Sequence, residues 1–309
     1  MTLNDRAWLV ADELEANAAR YRVAVSHVGG ARVIDCGAGV VGSLDAGIRL
    51  ARTCLADAAA VSLVSGPLGP TVQVVTDDPV RACLASQYAG MQVKVEKYFA
   101  MGSGPMRAAA AREELFRHIP GKESPTRAVG ILETKSAPTG DVIAHLVGKL
   151  PETVEKLTLL YAPAASLAGT LQVVARSVET ALHKLHELKF DMTNVVSGFG
   201  TAPLPSVAKD ELGAIGRTND AILFAGRVTL WVSCDDAVID AVGPKVPSSA
   251  SGDYGAPFTE IFKRYNGDFY KIDPMLFSPA EVTFVNLQTG RMRTFGQCDE
   301  ALLRKSFES

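Results

Sequence analysis

Arg176 and Glu179 stand three residues apart in the run ARSVETALHKLHEL, and a carboxylate at that distance from a guanidinium has two readings. On a solvated helix face it is an i, i+3 ion pair that stabilises the helix by about 0.2–0.5 kcal/mol. In a cleft it is a carboxylate held by a cation, able to position a water molecule or to take its proton. His183 and His186 continue the same stripe. Two imidazoles at i, i+3 can share a metal, but the zinc hydrolase spacing is HExxH and a third ligand is needed, so they read as part of a polar helix face. Gly37-Ala38-Gly39-Val40-Val41-Gly42 is a literal GxGxxG between a predicted strand and a predicted helix. A dinucleotide site needs that fingerprint to open a βαβ unit, with an acid about 20 residues on for the ribose. Here the preceding strand is the second arm of a hairpin, and the nearest acid, Asp57, falls before the next strand, so the motif reads as tight backbone packing. The chain has no GxSxG elbow, no Cys–His signature and no GxxxxGK[ST] phosphate loop.

Five loops rich in small residues and lone polar groups remain: AMGSGPMRA (100–108), LETKSAPTGD (132–141), VSGFGTAPLP (196–205), GRTNDAILFAG (216–226) and YKIDPMLFSPA (270–280). Each alone is a turn, because Gly, Pro and Asn are turn formers. Together they suggest a cleft whose backbone approaches a flat, polar ligand closely.

The elements that must position these groups alternate in type. Ala7, Val10, Leu14, Ala18 and Tyr21 recur at helical spacing, and RVAVSHVGGARVIDC reads as two strands around Gly29-Gly30. Ser43 caps a helix to about Cys54, AAAVSLVSG reads as a buried strand, and Asp78-Pro79 opens another helix. QVKVEKYF, RAVGILET and KLTLLYA read as strands, with a helix between the last two that Pro151 stops. The longest helix runs from about Thr170 to Leu188, with Leu171, Val174, Val178, Leu182 and Leu185 as its apolar face. NVVSGFG and DAILFAGRVTLWVSC follow as strands, then a Thr289-Gly290 hairpin and a last helix. Strand, small-residue loop and helix echo faintly at 93–115 and 156–188 without making a repeat. This mixture predicts an α+β (mixed α/β) fold of layered sheets and helices, in two domains spanning 1–150 and 151–309, with a discontinuous division as the alternative.

Composition bounds the function. In 309 residues, 47% are hydrophobic and 21% charged, ordinary globular values that exclude disorder and coiled coil. The 31 basic and 34 acidic residues leave a net charge of −3 with no like-charge block, which argues against nucleic acid as partner. The five cysteines lack CxxC spacing and no signal peptide precedes them, so reduced thiols in a cytoplasmic protein are expected. No apolar run reaches the length of a membrane span.

GSGPMRA, ETKSAPTGDVIAHL, the RSVE of the long helix, SGFGTAPLP, GRTNDAILFAG and DPMLFSPAEVT, in that order, resemble methenyltetrahydromethanopterin cyclohydrolases from about Val33 to the last hairpin. The GAGVVG segment falls where that family has a glycine-rich turn. The resemblance implies an enzyme of one-carbon metabolism, in formaldehyde oxidation or methanogenesis, that interconverts N5,N10-methenyl- and N5-formyl-tetrahydromethanopterin. It further implies no metal or cofactor, the pterin being substrate, and a homotrimer whose two closely packed domains leave a cleft between them. The family's essential carboxylate and its arginine lie in R-x-x-E, which makes Glu179 and Arg176 the catalytic candidates. Gln87, Ser103, Asn219, Asp220 and Asp273 become candidates to match the pterin's donors and acceptors, with Tyr88 packed on its ring. Gly104, Glu133, Thr139 and Asp141 belong to the same substrate-binding loops, and Lys94, Arg107 and Lys135 are candidates for the anionic tail. Each has a structural alternative as a helix cap, a turn bond or a solvated charge. ETKSAP carries Ala137 where cysteine is common in the family, so no catalytic thiol is expected there. The modest charge content points to a methylotrophic bacterium rather than an extremely halophilic or hyperthermophilic methanogen. A cyclohydrolase for the folate analogue and a non-catalytic pterin-binding protein are the alternatives, with a dinucleotide oxidoreductase third.

Overall fold

The computed structural model describes residues 1–267 and 271–308; Tyr270, the first residue of the predicted 270–280 loop, lies outside them. The chain forms two compact units, Met1–Ala59 with Val80–Gln172 and Ala60–Pro79 with Val173–Ser309. The division is therefore discontinuous, and residues 151–172 belong with the first unit rather than with the second half. Strand pairing explains why, because β8 (Lys156–Ala162) lies between β2 (Ala31–Asp35) and β7 (Arg127–Glu133), parallel to both.

The first unit is built on a six-stranded mixed sheet in the order β1 (Ala24–Val28), β2, β8, β7, β6 (Tyr98–Ser103), β5 (Met91–Val95). The predicted Gly29-Gly30 hairpin is present, with both glycines at positive φ (55° and 82°), the backbone that a two-residue turn of matching twist requires. β7 and β8 are mainly apolar on both faces, and β2, β7 and β8 are all buried on both. One face packs Ile34, Val129, Ile131 and Leu160 against Ala7, Ala11 and Leu14 of the helix Leu3–Ala16 and Leu50 of the helix Leu44–Cys54. The other packs Val33, Ala128, Leu132 and Leu159 against Val142, Ile143 and Leu146 of the helix Gly140–Val147. Ser43 caps its helix as expected, its Oγ accepting from Ala46 N at 3.0 Å. QVKVEKYF is not one strand but a hairpin, reversing at Glu96-Lys97 with Glu96 at φ 49°. The run AMGSGPMRA is likewise half strand (β6) and half helix (Met106–Ala110).

The second unit carries its own six-stranded mixed sheet, ordered β12 (Met292–Gly296), β11 (Glu281–Asn286), β10 (Arg227–Val232), β9 (Val195–Pro203), β4 (Gly69–Thr76), β3 (Ala60–Gly66). Alternation along β10 and β11 sends Val228, Leu230, Val232, Val282 and Phe284 into the core. AAAVSLVSG is an edge strand with only partial burial, not a buried one. DAILFA is helical, forming the end of the helix Glu211–Ala225: the Asp210 carboxylate caps that helix by accepting from Gly213 N at 2.8 Å, and Gly226 ends it. A mainly apolar cluster of Leu223, Phe224, Phe258, Ile261, Leu276 and Leu303 packs that helix against the helices Phe258–Arg264 and Glu300–Glu308. The Thr289-Gly290 hairpin joins β11 to β12 as predicted. The architecture is the expected α+β class, realised as two separate mixed sheets.

Candidate active site

The predicted helix from 170 to 188 is two helices, Leu167–Val174 and Ser177–Glu187. Between them Arg176 leaves helical geometry (φ −89°, ψ 9°) and occupies the cap position, its N–H bonded to Val173 O at 3.2 Å. Glu179 is then the third residue of a new helix, in the first turn, where the positive end of the backbone dipole favours an anion. Arg176 and Glu179 are only 6% and 4% exposed. A solvated surface ion pair is therefore not what these residues are. Val178, Leu182 and Leu185 are fully buried, as the apolar-face reading requires. His183 and His186 are half-buried, and His183 Nε2 lies 3.8 Å from Glu187. Among the described residues no group of three or more His, Cys, Asp or Glu is arranged to hold a metal.

The small residues of SGFG place this helix. A Cβ at Gly200 would stand 2.5 Å from Ser177 Oγ and 2.8 Å from Val178 Cγ2, and one at Gly198 would stand 2.8 Å from Val178 Cγ1. β9 thus touches the first turn of the Glu179 helix through two bare backbones. Val178 is β-branched and stiff at χ1, so it cannot swing aside. Gly200→Ala is expected to lower stability by about 1–3 kcal/mol through overpacking, read as a fall in the urea midpoint. An unchanged midpoint would show that the contact is loose.

The GxGxxG loop has an internal occupant. Asp35 at the end of β2 accepts from the backbone N–H of Gly37 (2.9 Å), Ala38 (2.7 Å) and Gly39 (2.7 Å). The donors that a dinucleotide phosphate would need are bonded to a carboxylate of the chain itself, and the following helix leads to β3 of the other sheet. The packing reading of this motif holds.

In the first unit the sequence-predicted substrate residues sort by environment. Gln87 and Tyr88 lie at the end of a wide helix, Val80–Gln87, where Tyr88 N bonds five residues back to Cys83 O at 2.8 Å. Gln87 and Ser103 are fully buried, with Ser103 Oγ 3.2 Å from Cys54 Sγ. Gly104, at φ 86°, bonds through its N–H to Ser86 O at 2.9 Å. Arg107 is fully buried. Its Nε donates to Glu113 Oε1 (2.8 Å), its Nη2 to Glu113 Oε2, and its Nη1 to the carbonyls of Leu84 (2.9 Å) and Ser86 (3.2 Å). Its guanidinium also lies 5.0 Å from the Tyr88 ring centroid. With four of its five N–H donors met by these partners and its side chain enclosed by protein, Arg107 is a structural cation and not a surface contact for an anionic tail. Lys94 on β5 and Lys135 beyond β7 are exposed, and Glu133 ends β7 half-buried. Thr139 caps the helix Gly140–Val147 by accepting from Val142 N at 3.4 Å, and Asp141 is an exposed residue of its first turn.

In the second unit Asn219 and Asp220 sit on a helix rather than in a loop. Asn219 Nδ2 donates to Ile215 O at 2.7 Å, its own preceding turn. Asp220 is fully buried and accepts from Phe258 N (2.9 and 3.1 Å) and Ser306 Oγ (2.6 Å), which makes it a latch for two other helices and not a pterin ligand. Burial pushes its carboxyl up from 3.8 to about 7, against the opposing effect of those hydrogen bonds. The folded state then holds a proton between about pH 4 and 7 that the unfolded chain releases. Stability from this group is full below pH 4 and is lost as pH rises through 7. Asp220→Asn, which keeps the neutral form's shape, is expected to flatten that fall. It should lie closest to wild type near pH 4, and the gap should open between pH 4 and 7 to a few kcal/mol in its favour at pH 8, roughly the linked shift. Parallel urea midpoints for the two proteins across pH 5–8 would refute this.

Asp273 opens a short turn, Pro274–Leu276, with Oδ1 accepting from Met275 N (3.0 Å) and Oδ2 from Ser251 Oγ (2.5 Å). Lys184, on the Glu179 helix, is 1% exposed and donates through Nζ to Met275 O. None of the five cysteines forms a disulfide, and no helix among the described residues is long and apolar enough to cross a membrane.

The family model for Cyclohydrolase (MCH) matches residues 2–307. The chain belongs to the cyclohydrolase (MCH) family. Curated relatives agree over nearly the whole length. The methenyltetrahydromethanopterin cyclohydrolase of Rhodopirellula baltica is 50% identical over 289 residues, 91% of this chain and 87% of its own. That of Methylobacterium nodulans is 44% identical over 317 residues, 99% and 97% of the two chains. That of Methanococcoides burtonii is 37% identical over 284 residues, 90% and 89%.

In this cyclohydrolase the sequence reading names the R-x-x-E pair but misses Lys184 and Glu113. A lysine on a helix and a glutamate in a charged loop ordinarily meet solvent, and only tertiary contacts reveal that both serve buried partners. The arrangement around Glu179 suits proton transfer. It provides a carboxylate withdrawn from bulk water, at a helix start, three residues from a buried guanidinium.

Proposed function

We propose that this cyclohydrolase converts N5,N10-methenyltetrahydromethanopterin and water to the N5-formyl form, reversibly, with Glu179 as the proton-transferring carboxylate. The burial of Glu179 in the first turn of its helix is the observation that carries the mechanism, and the names of the relatives support the substrate.

The chemistry asks for little more. The methenyl carbon lies between two nitrogens in a cationic amidinium and is electrophilic without a metal or prosthetic group. Water adds through oxygen to that carbon while Glu179 takes one of its protons. The neutral adduct then breaks its bond from carbon to N10. Glu179 returns the proton to N10, and the remaining hydroxyl proton leaves as the formyl C=O forms. One water is consumed, one proton goes to N10 and one to solvent, balancing the lost positive charge. Arg176 orients the carboxylate. The resemblance also carries a cytoplasmic homotrimer.

Following loss of the methenyl chromophore tests the substrate. Accelerated loss with the methanopterin compound and not with its folate analogue supports the reading. Equal rates would move the substrate class to folates. No acceleration with either would leave a pterin-binding protein.

A further inference from the structure

The Glu179 helix makes a second polar commitment that the proposed chemistry does not use. Lys184 lies on it five residues beyond Glu179, and its side chain is enclosed by protein. Enclosing an amine is unfavourable, and burial pushes this one down to about 8, with the charge of Asp273 working in the opposite direction. What the amine meets is the carbonyl of Met275, in the middle of the turn that Asp273 opens.

That turn is short. It is one turn of 3-10 helix, Pro274–Leu276, too short to persist on its own. Its N–H groups are met from within, Met275 N by Asp273 Oδ1 at 3.0 Å and Leu276 N by Asp273 O at 2.9 Å. From outside, Ser251 Oγ donates to Asp273 Oδ2 at 2.5 Å, and Asp253 Oδ2 accepts from Asp273 N at 2.9 Å. Asp253 is itself fixed by the Tyr265 hydroxyl at 2.8 Å. The Ser251–Asp253 loop therefore grips the start of the turn, and Lys184 grips its middle carbonyl from the helix that bears Glu179. Leu276 anchors the far end in the core, while Pro274 is exposed and Met275 half-exposed.

We propose that Lys184 is a positioning residue: its amine fixes the Asp273–Leu276 turn to the Glu179 helix and so sets how tightly the enzyme holds its tetrahydropterin substrate. This rests on the function proposed above and on Asp273 as a candidate pterin ligand, and it links the Glu179 helix to the turn that Asp273 opens. The helix itself stays seated by Val178, Leu182 and Leu185, so loosening the turn costs binding and spares the chemical step.

The experiment compares wild type, Lys184→Met and Ser251→Ala in steady-state hydrolysis of methenyltetrahydromethanopterin, with amide hydrogen exchange on the same full-length proteins. Met fills the volume of the lysine stem without the amine. Ser251→Ala releases the turn from its other side with a smaller change in the fold. Both are expected to raise KM, Lys184→Met by roughly tenfold or more, with kcat within about threefold, the pattern of lost uniform binding. Exchange at Met275 and Leu276 should quicken at least tenfold or so while the amides of 180–187 keep their protection. A merely structural lysine would lower the unfolding midpoint and the active fraction and leave KM of the active fraction unchanged. An active wild type with KM unchanged in both variants overturns this inference alone. A wild type that does not turn the compound over overturns the proposed function, and this role with it.

Discussion

Glu179→Gln is expected to lower kcat by about 10²–10⁴-fold, the range that a positioned general base supplies. Gln has the shape of Glu and keeps one acceptor oxygen, so the buried site at the start of the helix Ser177–Glu187 can close around it. What it cannot do is take a proton from the attacking water or return one to N10. Both halves of the reaction use that proton, so neither direction should be spared. The unfolding midpoint is the control. A first-turn carboxylate contributes about 0.3–1 kcal/mol through the helix dipole, and taking its charge from beside the buried Arg176 guanidinium raises the expected cost to at most about 3 kcal/mol. A loss of stability well beyond that, together with the loss of activity, would mean that Glu179 is a structural residue. A variant that keeps more than about a tenth of wild-type kcat would show that the proton goes elsewhere. Arg176→Lys separates orientation from charge. It retains the cation but not the planar fork, so an intermediate loss is expected if orientation matters and little loss if only charge does.

What the sequence made legible, and what it did not, follows from the range of the interactions involved. β7 and β8 read correctly because both faces are buried, and an apolar run bounded by polar residues is a local signal. Gly29-Gly30 announced its hairpin because positive φ selects glycine. The β5–β6 reversal did not announce itself, since Glu96 adopts positive φ with neither Gly nor Asn to mark it. The break at Arg176 has no Pro or Gly either. It is made tertiarily, where Gly198 and Gly200 of β9 meet the new first turn. The two units interleave along the chain because strand order is set by pairing at long range, which periodicity cannot see. Asp220 shows the same limit at one residue. Its polar character in a predicted loop suggested a ligand, yet its partners, Phe258 N and Ser306 Oγ, are 38 and 86 residues away. The R-x-x-E pair was legible as a pattern, and its meaning depended on burial.

Arg107 carries the largest expected effect on stability. Glu113→Gln is expected to cost about 3 kcal/mol, the low end of what breaking a buried ion pair costs. The reasoning is one of asymmetry. Arg107 is fully buried while the Glu113 side chain is 20% exposed, so removing the carboxylate charge strands a cation that water cannot reach. The carbonyls of Leu84 and Ser86 and the faces of Tyr88 and Phe116 remain to it, which keeps the loss from the upper end of the range. Glutamine preserves volume and one acceptor, so a fall in the urea midpoint reports charge rather than packing. Salt sharpens the test. Screening reaches exposed pairs within a Debye length but hardly touches an enclosed one, so the loss should be nearly the same at 0.05 and 1 M salt, concentrations spanning roughly 14 to 3 Å of screening. The exposed pair Arg304–Glu300, at 3.9 Å on the last helix, supplies the comparison. Glu300→Gln should change stability by less than about 0.5 kcal/mol, and salt should erase even that. If Glu113→Gln behaved like Glu300→Gln, the Arg107 guanidinium would have to be hydrated in solution. It would then again be available to an anionic ligand, and the assignment of Arg107 as a structural cation would fall.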